Sequence, residues 1–263
     1  MLASLFDWSL QAGPVAVSPH VVLESLAYLV AFDVYRRQRR AKGDFLPSGV
    51  RSSVVVAAIA GAALGSKLLG WMEDPSDTLG HWRDPAYLLG GKTIVGALLG
   101  GTMAVEWVKA RMGLARRTGD LFALPIAVGI GIGRIGCFLA GLRDHTYGTP
   151  TTMPWGIDFG DGIRRHPTQL YEIVAMIALA WMLARLARHP HREGDVYRAF
   201  LTAYLAWRLA VDFLKPEPRF AGLTAIQWCC AAALVWYWRD IARLVGARKM
   251  DPAPVSLGCE SDA

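Results

Sequence analysis

The sequence is short of charge for a chain of its length. Only 19% of its 263 residues are charged, while 53% are hydrophobic. Soluble domains carry about a quarter charged residues, so this shortage argues against a soluble globular protein. Ten tryptophans and 27 glycines agree, because Trp lines membrane interfaces and Gly is common in membrane-spanning helices. The composition therefore predicts an integral membrane protein.

Cysteine is also scarce, and its spacing excludes two common uses. The four cysteines are Cys137, Cys229, Cys230 and Cys259. They form no CxxC motif and have no His at metal-ligand spacing, so we predict neither a disulfide framework nor a metal site. The first apolar stretch has no basic segment ahead of it, so a cleavable signal peptide is not expected.

Seven apolar segments have the length of about 20 residues that a membrane-spanning helix needs. Polar, Pro-rich or basic connections separate them. The third segment is the weakest of the seven, because it is rich in glycine and contains Lys92. The segments are residues 17–35, 51–71, 87–108, 120–141, 168–187, 197–214 and 222–242.

The basic residues predict the orientation of these segments. If the first segment ends in the cytoplasm, alternate connections hold 17 of the 28 Lys and Arg residues, and the outer connections are partly acidic. This is the positive-inside pattern, which explains the net charge of +6 without a nucleic-acid partner. We expect an all-α integral membrane fold of about seven transmembrane helices, N-terminus outside and C-terminus cytoplasmic. Residues 1–246 form its membrane domain and residues 247–263 a flexible cytoplasmic tail.

Two of these segments contain charges that are expensive in a bilayer. Arg134 lies in the fourth segment, and Arg208 and Asp212 lie in the sixth. Each charge costs at least about 2.5–3.5 kcal/mol at the bilayer centre, so it normally faces protein or water and has a function. The i,i+4 spacing of Arg208 and Asp212 lets them pair on one helix face; taken alone, they could be a structural ion pair. Lys67 and Lys92 lie nearer segment ends, from where they can snorkel.

A further polar group begins the fifth segment, in "RRHPTQLYE" (164–172). Gln169, Tyr171 and Glu172 enter the membrane within four residues and are expensive to bury without polar partners. Arg165 and His166 precede them at the outer surface. Taken alone, the group could instead be a solvated helix start with an interfacial Tyr.

Together these residues predict one polar pocket that opens to the outer face. Arginine suits a two-point grip on phosphate, and Gly133 and Gly136 beside Arg134 allow a head group or a helix to approach the backbone. With Tyr204 added from the sixth segment, the pocket indicates a site for an anionic phospholipid.

The sequence resembles the prolipoprotein diacylglyceryl transferase family. "GRIGCF" is similar to the family's Gly-Arg-x-Gly-Asn-Phe, and "RHPTQLYE" to its Arg-His-Pro-Ser-Gln-Leu-Tyr-Glu. The matching segments follow the family's order and are 90–101, 133–138, 165–172, 204–215 and 222–228.

The resemblance implies a seven-span enzyme of the bacterial cytoplasmic (inner) membrane, with phosphatidylglycerol and a preprolipoprotein as partners and no cofactor. Such an enzyme moves a diacylglyceryl group to the thiol of a lipobox cysteine, and glycerol phosphate leaves. Arg134 and Arg208 would stabilise the departing phosphate. Asp212 would hold Arg208, and Tyr204 would donate to the phosphate or relay a proton.

The sequence also departs from the family's pattern, chiefly in the residues that would handle the proton. Val95 stands where the family usually has His, Cys137 where it has Asn, and Leu142 where it has an acidic residue. His145 with Asp144, or His166, could supply part of the missing function. Two alternatives therefore remain open: a divergent enzyme with another acceptor, and a phospholipid-binding or transport protein without catalysis.

Overall fold

The computed structural model describes residues 10–12, 15–43, 48–115 and 117–246. Over these residues the chain is mainly helical, and its two short antiparallel sheets pair β1 (Leu10–Ala12) with β2 (Val15–Val17) and β3 (Ile157–Asp158) with β4 (Arg164–Arg165). The tail predicted at 247–263 lies outside the described residues. The helices are α1 (Pro19–Lys42), α2 (Ser48–Glu73), α3 (Pro75–Gly80), α4 (Pro85–Leu89), α5 (Ile94–Arg111), α6 (Asp120–Ala140), α7 (Thr168–Leu186), α8 (Asp195–Val211), α9 (Ala225–Trp236) and α10 (Trp238–Gly246).

Each of the seven predicted segments contains or overlaps one of the longer helices. Three stretches are long and apolar enough to cross a membrane: Gly49–Glu73, Asp120–Asp144 and Thr168–Leu186. Ala225–Trp236 is apolar but shorter. The prediction of a helical membrane-type fold is therefore confirmed, with two small sheets in addition.

The third predicted segment is interrupted. It was expected over 87–108, but α4 ends at Leu89 and α5 begins only at Ile94. Gly91 takes a positive φ of 44°, which glycine adopts without steric cost. Thr93 then caps α5 by accepting the backbone N–H of Gly96 at 3.2 Å, as N-cap threonines do. The glycines that made this segment the weakest prediction thus divide it into two helices.

The seventh predicted segment is also shorter than expected. The helix predicted over 222–242 breaks at Tyr237, between α9 and α10. Beyond the break, Arg243 donates to Asp195 at 2.7 Å, and Arg198 lies 3.4 Å from Asp240. These ion pairs attach α10 to the start of α8. They explain why the apolar helix α9 ends at this break.

Helices α2 and α5 pack through glycines spaced four residues apart. A Cβ added to Gly65 would lie 2.3 Å from the carbonyl oxygen of Gly96, and one added to Gly100 would lie 2.3 Å from that of Gly61. No side chain fits in so short a gap. This is small-residue packing of the kind that brings membrane helices close together.

The apolar core lies between α7 and α8, with α6 packed against both. Its most buried side chains include Met176 and Leu183 of α7 and Phe200, Leu201 and Leu205 of α8, all at most 2% exposed. This packing brings the end of α6, the start of α7 and the end of α8 together at one end of the molecule.

The start of α9 is fixed to the same end by a capping box. Thr224 and Gln227 exchange hydrogen bonds of 2.9 and 3.1 Å, and the Gln227 amide donates to the Leu209 carbonyl at 3.0 Å. The segment 222–228, which carries part of the family resemblance, thus holds α9 against α8.

Candidate active site

Arg134 is buried near the end of α6, with 7% of its surface exposed. Its Nε lies 2.9 Å from Oε2 of Glu172, which α7 brings to it from the other side. The N–H is not aligned with that oxygen for a hydrogen bond. Arg134 therefore has a charged partner inside the protein, and that partner is the carboxylate that the sequence assigned to the same pocket.

Helix α8 contributes the rest of this group. Tyr204 donates to Oε1 of Glu172 at 2.9 Å. Arg208 lies 3.3 Å from Oε2 of the same carboxylate and 2.8 Å from Oδ1 of Asp212. The predicted Arg208–Asp212 pair therefore forms, although the chain has passed into a 3₁₀ turn at Asp212–Leu214. We call Arg134, Glu172, Tyr204, Arg208 and Asp212 the arginine cluster.

Lys215 adds a further cation, 3.9 Å from Oδ1 of Asp212. With it, three cations face the two carboxylates of the cluster, and two further carboxylates, Glu73 and Glu217, lie near enough to interact with Lys215. Burial, and after it the nearby Arg208, lower the pKa of Lys215 to about 8. The Nε groups of Arg134 and Arg208 have no aligned hydrogen-bond partner within the described residues, so buried donors lie beside the positive charges of the cluster. Such a site favours an anion.

The polar residues at the start of α7 are anchored to the loop before them. Thr168 donates to the carbonyl of Thr146 at 2.6 Å, and the Gln169 amide donates to the Thr146 hydroxyl at 3.2 Å. Thr146 in turn donates to Asp144 at 2.9 Å. Gln169 therefore has a partner in the protein for its amide, while its Oε1 is buried without one in the described structure.

Other predicted site residues lie in the loop that precedes α7. Arg165 forms two 2.7 Å bonds to Asp161, and these hydrogen bonds hold the pKa of Asp161 at about 2. Tyr171 accepts from Trp155 at 2.8 Å and lies 3.2 Å from Nδ1 of His166. These contacts organise the loop before α7 and the first turn of that helix.

His145 lies beside this loop rather than among the cluster's ion pairs. It is exposed, and its backbone is in the left-handed region with φ of 50°. Its ring centroid is 6.3 Å from that of Tyr147. The role suggested for it from the sequence stays a prediction.

The two signature glycines serve different purposes. A Cβ at Gly136 would lie 3.2 Å from the Cβ of Leu23 and 3.3 Å from the Cα of His20, so this glycine lets α1 approach. A Cβ at Gly133 would meet nothing within 4 Å. Open space therefore lies beside Arg134, as the predicted head-group site requires.

A second polar group adjoins the cluster, and the sequence did not indicate it. His20 Nδ1, Cys137 Sγ and a carboxylate oxygen of Asp144 all lie within 4.8 Å of one another. Arg134 Nη1 is 3.8 Å from that sulfur. A guanidinium so close disfavours a metal cation at this place by like-charge repulsion. The three residues are far apart in the sequence, and no spacing rule connects them.

The model of the family described as "Prolipoprotein diacylglyceryl transferase" matches residues 8–238. The chain belongs to this family. Among its relatives, phosphatidylglycerol–prolipoprotein diacylglyceryl transferase of Clostridium tetani is 30% identical over 76% of this chain and 80% of its own length. The proteins of that name from Bordetella avium and Cupriavidus pinatubonensis are 30% and 32% identical, over 82% and 76% of this chain and 84% and 75% of their own lengths.

Within this prolipoprotein diacylglyceryl transferase family member, the departures from the family's pattern fall in two places. Val95 is 1% exposed in the apolar core, so this position offers no ionisable group. Cys137, in place of Asn, contacts both Arg134 and Asp144. Asp144, two residues after Leu142, provides a carboxylate in this part of the site.

A cavity of about 890 Å³ lies between α1 and α6 on one side and α2 and α5 on the other, and Arg198 of α8 and Asp240 of α10 also line it. Its walls are largely apolar and include Ala97, Ile126 and Ile130. Glu24 and Lys92 line it as well and lie 3.6 Å apart. The cavity combines a hydrophobic interior with an ion pair on its wall, as a site for an amphiphile does.

Proposed function

We propose that this chain transfers a diacylglyceryl group from phosphatidylglycerol to the thiol of a lipobox cysteine in preprolipoproteins. A carbon–sulfur bond forms at the glyceryl carbon, the carbon–oxygen bond to phosphate breaks, and glycerol phosphate leaves. Family membership supports the reaction. The observation that carries the proposal is the convergence of Arg134 and Arg208 on one carboxylate, with buried Nε donors that have no aligned hydrogen-bond partner within the described residues.

The proposed roles follow from these contacts. Arg134 and Arg208 bind the phosphodiester and stabilise the charge that grows on its oxygen as the bond breaks. Glu172 and Asp212 hold the two guanidinium groups in place, and Tyr204 fixes Glu172 from its other oxygen. The phosphate carries one negative charge, which the cations of the site attract.

The acyl chains of the lipid are proposed to lie in the cavity between α1/α6 and α2/α5. Its largely apolar walls suit hydrocarbon. The polar wall at Glu24 adjoins His20, 3.6 Å away, and through it Asp144 and the arginine cluster. This continuity supports one lipid site, with the head group at the cluster and the chains in the cavity.

We also propose that the chain crosses the cytoplasmic (inner) membrane seven times, with its N-terminus outside and its C-terminus in the cytoplasm. The arginine cluster then faces the outer leaflet, because α6 ends and α7 begins at that end of the molecule. The opposite end holds the basic ends of α1 and α5, in keeping with the positive-inside rule.

The test is a direct transfer assay. Purified protein in phosphatidylglycerol vesicles is incubated with a lipobox peptide, and the peptide mass is followed for addition of a diacylglyceryl group. A matched peptide with Ser in place of Cys should stay unmodified. If phosphatidylglycerol binds but the Cys peptide never gains the group, the prolipoprotein assignment is wrong.

A second candidate function follows from Val95. Without a family His at that position, the chain could bind phosphatidylglycerol for another acceptor or without catalysis. Retained binding with no transfer in the same assay would favour this alternative.

A further inference from the structure

The proposed transfer needs a group that takes the proton of the acceptor thiol. A neutral thiol is a poor nucleophile, because the thiolate is the reactive form. The arginine cluster cannot act as this base: its carboxylates are ion-paired to arginines. Val95 supplies no base either. The proton must therefore be accepted by a group beside the cluster.

His20, in the first turn of α1, is in the right place. Its Nδ1 lies 3.3 Å from Oδ1 of Asp144 and its Nε2 lies 3.6 Å from Oε2 of Glu24. Its side chain is 32% exposed, whereas that of Arg134 is 8% exposed. Only Cys137 stands between this imidazole and Arg134 along the contacts described above. His20 is thus accessible to an arriving polypeptide and close to the site of phosphate departure.

We propose that His20 is the general base for the acceptor thiol and that Asp144 is its positioning residue. This inference rests on the proposed function. Asp144 Oδ1 lies 3.3 Å from Nδ1 without the alignment of a hydrogen bond, and its negative charge favours the proton on Nδ1, which leaves Nε2 to accept another. The arrangement is the base–orienter pair that nucleophilic catalysis uses.

The step balances without a further reactant. Nε2 of His20 takes the thiol proton, and the thiolate attacks the glyceryl carbon of phosphatidylglycerol. The electron pair of the broken carbon–oxygen bond goes to the phosphate oxygen, which Arg134 and Arg208 hold. Glu24, on the Nε2 side, stabilises the imidazolium until the proton passes to the leaving phosphate or to water.

The charged and titratable groups that face His20 come from three elements. Glu24 lies on its own helix, Cys137 on α6, and Asp144 on the 3₁₀ turn Gly141–Asp144. Lys92 lies 3.6 Å from Glu24 and weakens the effect of that carboxylate. By contrast, His166 is next to the Tyr171 hydroxyl, which gives it a neutral orienting partner instead of a carboxylate.

The experiment compares transfer rates of wild type, His20→Gln and Asp144→Asn in phosphatidylglycerol vesicles. General bases contribute about 10²–10⁴-fold, so His20→Gln should lose at least about 100-fold at pH 6.5. Its deficit should fall below about tenfold at pH 9, because a free cysteine thiol with a pKa of about 8.5 ionises there without help. Asp144→Asn should show a smaller deficit with the same pH dependence, and added imidazole should partly restore His20→Gln at pH 6.5.

A matched control is His81→Gln, since His81 also lies near a carboxylate, 3.2 Å from Asp77, on the exposed surface. It should transfer at the wild-type rate at both pH values. Phosphatidylglycerol binding is measured for every variant; if His20→Gln fails to bind, the pH dependence of Asp144→Asn decides.

The proposal is overturned if wild type is active and His20→Gln matches it at both pH values. It is equally overturned if His20→Gln binds lipid but its deficit is the same at both pH values, or if His145→Ala shows the pH-dependent deficit instead. An inactive wild-type protein would count against the proposed function and not against the choice of base within it.

Discussion

Glu172 on α7 lies 2.9 Å from Arg134 on α6, so one buried carboxylate is the counter-ion of the residue that defines the family signature. Because the same carboxylate also meets Arg208 and Tyr204, three helices depend on it. The guanidinium groups are therefore held in place before any lipid arrives. Catalysis by preorganised charge requires this kind of arrangement.

Two substitutions of Arg134 distinguish the loss of phosphate binding from the loss of protein stability. Arg134→Ala removes a phosphate ligand and leaves Glu172 with one cation fewer; breaking a buried ion pair in this way costs about 3–5 kcal/mol. We expect Arg134→Ala to abolish transfer and Arg134→Lys to retain charge but lose most activity, since Lys lacks the two-point grip. Transfer rates and thermal unfolding check both. Arg185→Ala, which removes an arginine stacked on Trp181, is the control, and full activity of both Arg134 variants would refute the pocket.

Tyr204→Phe should weaken the arginine cluster by removing one hydrogen bond while keeping the buried ring. The hydroxyl donates to Glu172 at 2.9 Å in a fully buried position. Loss of one partner of a buried polar group costs about 1–3 kcal/mol, so the midpoint of thermal unfolding should fall and transfer should slow. Tyr35→Phe is the matched control, because that ring stacks on Phe122 and keeps its stacking without the hydroxyl. Equal unfolding temperatures for the two variants would contradict the proposed role of the hydroxyl.

The arginine cluster was predictable from the sequence because its members are costly in a membrane. Arg134, Glu172, Arg208 and Asp212 each stand in an apolar segment, where a charge must find a partner. The sequence therefore indicated that they meet, and the structure confirms it. It did not indicate that Glu172 bridges the two arginines, since partner choice depends on how α6, α7 and α8 pack.

His20 was not predictable in the same way. It lies at a helix start, where a polar side chain costs little free energy, so its presence there does not indicate a functional site. Its closeness to Cys137 and Asp144 arises from the packing of α1 on α6, which Gly136 permits. The breaks after Leu89 and at Tyr237 were missed for a related reason: hydropathy measures apolar length, whereas local backbone geometry and ion pairs decide where a helix stops.

The close packing of α2 on α5 gives a prediction about stability. Gly65→Leu places a side chain where a Cβ alone would lie 2.3 Å from the Gly96 carbonyl oxygen. The helices must separate, and because both line the lipid cavity, unfolding temperature and phosphatidylglycerol binding should fall together. Gly49→Leu, in the same helix but with nothing within 4 Å of an added Cβ, should leave both unchanged. A stable, lipid-binding Gly65→Leu protein would show that the two helices are not held this closely.

Lys215 should make lipid binding depend on pH. Burial holds its folded-state pKa at about 8, below the ordinary value of 10.5, so the folded protein binds fewer protons than the unfolded chain between these values. Stability should therefore rise with pH across this window, as the cost of a buried charge disappears. The positive charge of Lys215 disappears over the same range, so affinity for phosphatidylglycerol relative to phosphatidylcholine, whose head group stays zwitterionic, should fall above pH 8. Titration with both lipids at constant ionic strength measures this, and Lys215→Met, which removes the charge at every pH, should bind weakly with a flat profile. A wild-type preference that stays constant across this range would show that Lys215 takes no part in balancing the phosphate.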